Sequence, residues 1–289
     1  MKYLDVSFTV NAPYEGVSDA FDLIAAIAGE VGFESFDIQE DVLHGYIQKN
    51  VFDERALKAA LESFPMPGVS VGYQVNEAEY KDWNSAWEEN GFEPIIIDNK
   101  CVIHDALHQP TKKYEIDICI DAHLAFGTGT HATTQMIISE MADMDLSNKR
   151  VLDCGCGTGV LSLFAAKSHA AAVTAYDIDE WSTENTIHNA EINKVKDLCV
   201  GCGDVKILTN GSDVSKRAPF DVVLANINRN ILLHDLPYIE SVMSEHSTLI
   251  LSGFYESDKE MLIDKATALG LTVHHQRNNG DWVMLCFRK

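Results

Sequence analysis

Three alternating glycines, Gly155, Gly157 and Gly159, follow the short apolar run Val151-Leu152-Asp153-Cys154 and precede Val160, Leu161, Phe164 and Ala165 at helical spacing. A strand that enters a helix through such a loop brings backbone N–H groups close to a ligand and aims the helix N-terminus at it. A second apolar run, Ala172–Tyr176, ends at Asp177, 20 residues after Gly157. In a fold that alternates strands and helices, this places a carboxylate at the tip of the neighbouring strand, where it can hold the two hydroxyls of a ribose. The loop therefore points to an open, mostly parallel sheet with a nucleoside-bearing ligand over its strand ends.

The glycine spacing narrows the ligand. A dinucleotide site reads G-x-G-x-x-G and a phosphate loop G-x-x-x-x-G-K-[ST]; this loop is G-x-G-x-G, with no pyrophosphate cradle. The elements behind it form an ordered series. Cys202-Gly203-Asp204 follows a third strand, and Phe220–Leu224 is an apolar fourth strand leading into Ala225-Asn226-Ile227-Asn228. A helix over Ile231–Ser244, a strand over Thr248–Ser252, a helix over Glu256–Leu269 and strands near Leu271–His275 and Asp281–Phe287 follow. The last two form a hairpin that places one antiparallel strand in an otherwise parallel sheet.

The D-x-G-x-G-x-G pattern from Asp153 to Gly159, with Asp177 downstream, resembles the first motif of the class I S-adenosylmethionine-dependent methyltransferases. Upstream, Leu124 to Thr134 reads L-A-F-G-T-G-T-H-A-T-T and looks like the matching segment of the ribosomal protein L11 methyltransferase family. The resemblance extends over the whole chain, through the Trp83/Trp87 pair, the Asn-Ile after the fourth strand, Ser252-Gly253 after the fifth and Trp282 near the end. It implies a Rossmann-like α/β methyltransferase sheet preceded by a small α+β ferredoxin-like domain that captures the substrate protein. It also implies S-adenosyl-L-methionine held by Thr134, Gly155, Gly157, Asp177 and Asn226, and no metal. The implied reaction is methylation of lysine side chains and the N-terminal amine of large-subunit ribosomal protein L11, with the catalytic domain redocking about a hinge near residues 76–90. The chain departs from the family pattern at Asp121-Ala122-His123 in place of Asp-Pro-Gly, at Thr158 in place of Ser, and at the polar run Asn228-Arg229-Asn230.

Methyl transfer from a sulfonium asks mainly for alignment of lone pair, methyl carbon and departing sulfur, worth about 7–11 kcal/mol of the barrier. The target amine must also lose its proton, because a lysine ammonium with a pKa near 10.4 has no lone pair. The expected catalytic residues are Asn226, which orients amine and cofactor, with Phe126 and Thr130 on the segment that closes over the methyl group. His131 is an alternative proton acceptor, although a loop histidine is ordinarily structural. Another amine or amide methylase is the nearest alternative, but a glutamine methylase resembles N-P-P-Y where this chain has Asn226-Ile227-Asn228-Arg229. A nicotinamide oxidoreductase would use an acid like Asp177 yet show hydride transfer, and a binding protein would take up the cofactor and label nothing.

Ahead of this region, Leu4, Val6, Phe8 and Val10 alternate with Asp5, Ser7 and Thr9, which predicts a half-buried strand. A helix from Val17 to Val31 stopped by Gly32, strands over Ser35–Gln39 and Val42–Ile47 joined at Glu40-Asp41, a helix capped by Asp53, and a strand over Val69–Val75 complete a split ferredoxin-like order. The expected domains are residues 1–76 for substrate recognition, a linker helix over 77–90, and a methyltransferase domain over 91–289. Pro94–Ile103 and Tyr114–Ile120 read as additional strands turned at Asp98-Asn99, with His104 and His108 facing solvent.

Charge bears on the partner. With 22 Lys+Arg against 44 Asp+Glu the chain carries −22, which repels a phosphate backbone and suits a basic protein. Seven cysteines without regular spacing are no disulfide framework; Cys199 and Cys202 form a C-x-x-C lacking a zinc or redox context. No run reaches the eighteen apolar residues of a membrane helix, and the first residues lack a signal-peptide pattern. The expectation is a cytoplasmic monomer that binds neither membrane nor, directly, nucleic acid.

Overall fold

The computed structural model describes residues 3–11, 17–33, 35–39, 42–49, 51–62, 64–66, 69–77, 91–121 and 127–289. The turn expected at Glu40-Asp41, the helix expected over 77–90 with Trp83 and Trp87, and Phe126 lie outside these residues. The chain divides into two compact units, Met1–Asp82 and Trp83–Lys289.

In the first unit β1 (Tyr3–Asn11), α1 (Val17–Glu30), β2 (Ser35–Gln39), β3 (Val42–Gln48), α2 (Glu54–Glu62) and β4 (Ser70–Glu77) follow in order. The sheet runs β2-β3-β1-β4, antiparallel throughout, which is the split arrangement the sequence predicts. Leu4, Val6 and Phe8 point into a core with Phe21, Ile24, Leu43, Ile47 and Leu57, as a period of two requires. Asp53 caps α2, its Oδ1 accepting from the N–H groups of Arg55 (2.9 Å) and Ala56 (3.3 Å). Gly32, at φ +102°, ends α1 in the left-handed conformation, and the Phe33 N–H closes back on the Ala28 carbonyl at 3.2 Å.

The second unit opens with a three-stranded sheet of β5 (Ile95–Ile97), β6 (Cys101–His104) and β7 (Ile116–Cys119). Asp98 and Asn99, both at positive φ, make the tight turn between β5 and β6. The placement of His104 differs from expectation: it is 6% exposed rather than solvent-facing. Every residue of β6 is buried, so no position on that strand reaches water. The His104 Nδ1–H donates to the Asp105 carbonyl at 2.6 Å and Nε2 lies 3.1 Å from Asp117 Oδ1. His108 is half-buried against Asp105, whose Oδ2 lies 3.1 Å from its Nδ1.

The large sheet comprises β8 (Arg150–Cys154), β9 (Ala172–Asp177), β10 (Leu198–Cys202), β11 (Phe220–Asn226), β12 (Met243–Tyr255), β13 (Thr272–Asn279) and β14 (Trp282–Arg288). Its order is β10-β9-β8-β11-β12-β14-β13, and β14 is antiparallel to both neighbours while the other pairings are parallel. This is the Rossmann-like methyltransferase sheet with a single reversed strand. Helices α3 (Ala132–Ala142), α4 (Val160–Lys167), α5 (Glu180–Ile192), α6 (Arg229–Ser241) and α7 (Lys259–Ala268) cover it. Val151 and Leu152 of β8 enter separate cores on the two faces, the first with Phe164 and Ile137, the second with Phe220 and Leu236. Burial on both faces explains why the central strands read as continuous apolar runs. The chain reverses its direction of sheet growth between β8 and β11, so their carboxyl ends flank a topological switch point, where ligands bind in such sheets. Among the described residues no helix is long and apolar enough to cross a membrane.

Candidate active site

At the carboxyl end of β8 the backbone turns through Gly155, Gly157 and Gly159 at φ +72°, +54° and +81°. These left-handed conformations are costly for any residue with a Cβ, which is why glycines alternate here. The N–H groups of Gly155 and Cys156 donate to the Tyr176 carbonyl at 2.9 and 3.1 Å, fastening the loop to the tip of β9. A Cβ on Gly155 would collide with Ile227 Cγ2, so the glycine keeps a narrow cradle open between β8 and β11.

Asp177 closes the other side. Its Oδ2 accepts from the Gly157 N–H and its Oδ1 from the Asp179 N–H, both at 3.0 Å. The two bonds fix the carboxylate plane and leave each oxygen a further lone pair, the arrangement needed to accept from a pair of vicinal hydroxyls. The expected contacts Gly155, Gly157 and Asp177 are thus brought together.

Two supports of the loop escaped the sequence reading. From α5, the Thr186 hydroxyl donates to the Gly157 carbonyl at 2.9 Å and the Asn189 amide donates to the Thr158 carbonyl at 2.9 Å. Both residues are buried, and their three-residue spacing puts them on one helix face, a T-x-x-N signal that could have been used. The Thr158 hydroxyl donates to the Gly127 carbonyl at 2.6 Å, tying the glycine loop to the upstream G-T-G-T segment. The departure from Ser to Thr keeps that hydroxyl.

Asp153 lies beneath the loop, buried, with Oδ2 accepting from the Ser162 N–H (3.1 Å) and hydroxyl (2.6 Å). Burial lifts its carboxyl to about 6, against the opposing pull of the Ser162 bonds. Between about pH 4 and 6 the folded protein holds a proton here that the unfolded chain has released, so stability falls as pH rises through that window and the cost is complete above it. A shift of roughly two units corresponds to about 3 kcal/mol. Asp153→Asn keeps the acceptor and removes the charge. Urea denaturation is expected to show the variant gaining on the wild type from pH 4 to 7; parallel stability curves would refute this.

Asn226 ends β11. Its Nδ2 donates to the Thr134 hydroxyl on α3 at 3.2 Å, whereas its Oδ1 is buried with no partner among the described residues. A buried acceptor without a donor costs about 1–3 kcal/mol, so this oxygen is an exception to the rule that buried polar groups are paired. Thr130 is not joined to Asn226 by any contact among the described residues. Its hydroxyl lies 3.0 Å from that of Thr128 and its carbonyl accepts from Gln135 Nε2 at 3.0 Å. His131 caps α3: Nδ1 accepts from the Thr133 N–H at 3.3 Å and lies 2.7 Å from its hydroxyl. An N–H can only donate, so the neutral ring carries its proton on Nε2 and its lone pair is committed to the helix. On the far side of α3, Glu140, His275 and Cys286 bring three metal-ligating atoms within 4.8 Å of one another. The Glu140 Oε2 is already taken by His275 (2.8 Å) and by the Arg277 guanidinium (2.9 Å), which neutralises it.

The cradle under Gly155, the anchored Asp177 and the orphaned Asn226 Oδ1 fit the nucleoside and amino-acid ends of S-adenosylmethionine. Known proteins of similar sequence and structure bear on the class of enzyme. A sequence model of the family described as Ribosomal protein L11 methyltransferase (PrmA) matches residues 22–289. A protein of that name from Phocaeicola vulgatus is 44% identical over 287 residues, spanning 99% of both chains. One from Bacteroides fragilis is 45% identical over 280 residues, spanning 96% of this chain and 97% of its own. The crystal structure of ribosomal protein L11 methylase from Lactobacillus delbrueckii subsp. bulgaricus matches with a TM-score of 0.60 at 27% identity, over 68% of this chain and 100% of that one.

Proposed function

The chain belongs to the ribosomal protein L11 methyltransferase family, and on that premise we propose that it methylates lysine side chains and the N-terminal amine of ribosomal protein L11. S-adenosylmethionine is the methyl donor of this class of enzyme. When bound, it supplies a methyl group on a positively charged sulfur.

The chain's own residues do the rest. The glycine loop and the N-terminal end of α4 receive the amino-acid part, Asp177 accepts from the ribose hydroxyls, and Thr134 holds Asn226 in place. The observation that carries the reading is the Asn226 Oδ1, buried without a donor among the described residues while Nδ2 is pinned by Thr134. An incoming neutral amine can donate one N–H to that oxygen, which turns its lone pair toward the methyl group. Desolvation at the carboxyl end of the sheet lowers the pKa of the lysine ammonium and favours the neutral form that can react.

The direct test is labelled S-adenosylmethionine incubated with the protein and ribosomal protein L11, followed by mass spectrometry of L11 fragments. Label on lysines and the N-terminus is expected; label confined to amides or to RNA would overturn the proposal. We further propose that the first unit captures the substrate and that the enzyme acts as a monomer. Deleting residues 1–75 is then expected to leave cofactor affinity within about threefold yet abolish L11 methylation. Equal L11 turnover by the shortened chain would make the first unit dispensable.

A further inference from the structure

Tyr255, 49% exposed, closes β12 with its ring packed at a tilt against Trp282 at the start of β14, centroids 4.3 Å apart and planes at 31°. Trp282 in turn meets the edge of His131, the cap of α3, at 4.6 Å. This aromatic series stands at the same end of the sheet as Asn226. Ser252 is the ladder partner of Asn226, and Tyr255 lies three residues beyond it, about 10 Å along the strand at most. Trp282 is the ladder partner of Tyr255.

The surrounding charge is unbalanced. Glu256, Asp258, Glu260 and Asp281 lie within five residues of Tyr255 or Trp282 in the chain, as does Lys259, and Arg229 joins them through Asp258. Both cations are consumed locally: Arg229 Nη1 binds Asp258 Oδ1 at 2.6 Å and Lys259 binds Glu256. Asp281, next to Trp282 and exposed, has no ion pair among the described residues. An exposed aromatic face inside a net acidic border selects a cation carried on an apolar stem, since the ring attracts the charge and the stem covers the ring.

We propose that the face of Tyr255, backed by Trp282, is the docking ledge for a protonated lysine of the substrate protein on its way to Asn226. The proposal rests on the protein-amine reading of the site. The lysine crosses the ledge as the ammonium and reaches Asn226 after losing its proton to solvent, so Tyr255 binds the substrate and takes no part in the transfer.

Tyr255→Leu removes the aromatic face and retains apolar bulk, and Tyr255→Phe retains the face. Steady-state kinetics with full-length enzyme and L11 are expected to show KM for L11 raised three- to tenfold in Tyr255→Leu, with kcat and the Kd for S-adenosylmethionine within twofold of wild type, and KM restored in Tyr255→Phe. An unchanged KM in Tyr255→Leu, or a loss shared with cofactor binding, overturns the ledge while leaving the substrate reading intact. Wild-type enzyme that labels no lysine of L11 overturns both.

Discussion

Asn226→Ala is expected to lower kcat for methyl transfer by about 100-fold and to weaken S-adenosylmethionine binding by no more than about tenfold. The larger number follows from geometry, since a displacement of about 1 Å of a reacting group can cost 10²-fold. The smaller follows from the loss of one hydrogen bond. The separation of the two effects is the informative part. Asn226 contributes through an amide whose Nδ2 is held at 3.2 Å by Thr134 and whose Oδ1 has no donor of its own among the described residues. Truncation leaves the buried Thr134 hydroxyl without the Nδ2 donor it accepts from, and removes the oriented acceptor at the end of β11. Isothermal titration for the cofactor and single-turnover kinetics with L11 measure the two quantities independently. A variant with normal kcat would show that the amine is oriented by other groups.

Gly253→Ala is expected to be the most damaging single methyl in the large sheet. Gly253 stands at φ +94°, and a Cβ there would lie 2.6 Å from the carbonyl oxygen of Ile227 and 2.9 Å from its carbon and nitrogen. These are backbone atoms in a strand end whose N–H already bonds the Ser252 carbonyl at 3.1 Å, so they cannot swing aside as a side chain could. Left-handed strain plus the clash costs about 3 kcal/mol or more, which for a unit of this size is a fall in Tm of roughly 6–12 °C. Ile227 is the residue after Asn226, so the same displacement moves the transfer site and activity falls with stability. Gly211→Ala supplies the comparison: at φ +83° it carries the same conformational penalty with open space around the added methyl, and only about 1–2 kcal/mol is expected. Equal melting temperatures for the two variants would show that β11 and β12 separate without cost.

Much of this architecture was legible residue by residue. The period of two in β1, the aspartate before α2 and the glycine after α1 describe local backbone states, and the structure reproduces each. Helix α3 was not legible as a helix. Thr133, Thr134, Met136, Ile137, Ile138, Glu140 and Met141 are all buried, which leaves a half-buried stripe of Ala132, Gln135, Ser139 and Ala142 with no charged residue to mark it as the wet face. Helix α5 fails in the opposite way: the residues it buries are Ser182, Thr183, Asn185, Thr186, Asn189 and Ala190, mostly hydrogen-bonding rather than apolar, so hydrophobic periodicity is absent. His104 misled for a related reason, because polarity alone does not distinguish a solvated ring from one paired with a carbonyl and a carboxylate inside a sheet.

Within the candidate site, the parts that depend on backbone conformation were readable from residue order: glycines where φ must be positive, an acid at the next strand tip, and an asparagine where an apolar strand stops. Those features are written within a few residues and need no knowledge of what folds against them. The tertiary structure alone decided the pairings. Thr134 reaches Asn226 across 92 residues, Thr158 reaches Gly127 across 31, and α5 props the loop from below. It also made His131 the cap of α3, and revealed that Gly253 serves the approach of two strands. Such contacts form only after the sheet order is set by burial on both faces, and they join residues whose types carry no mark of their partners.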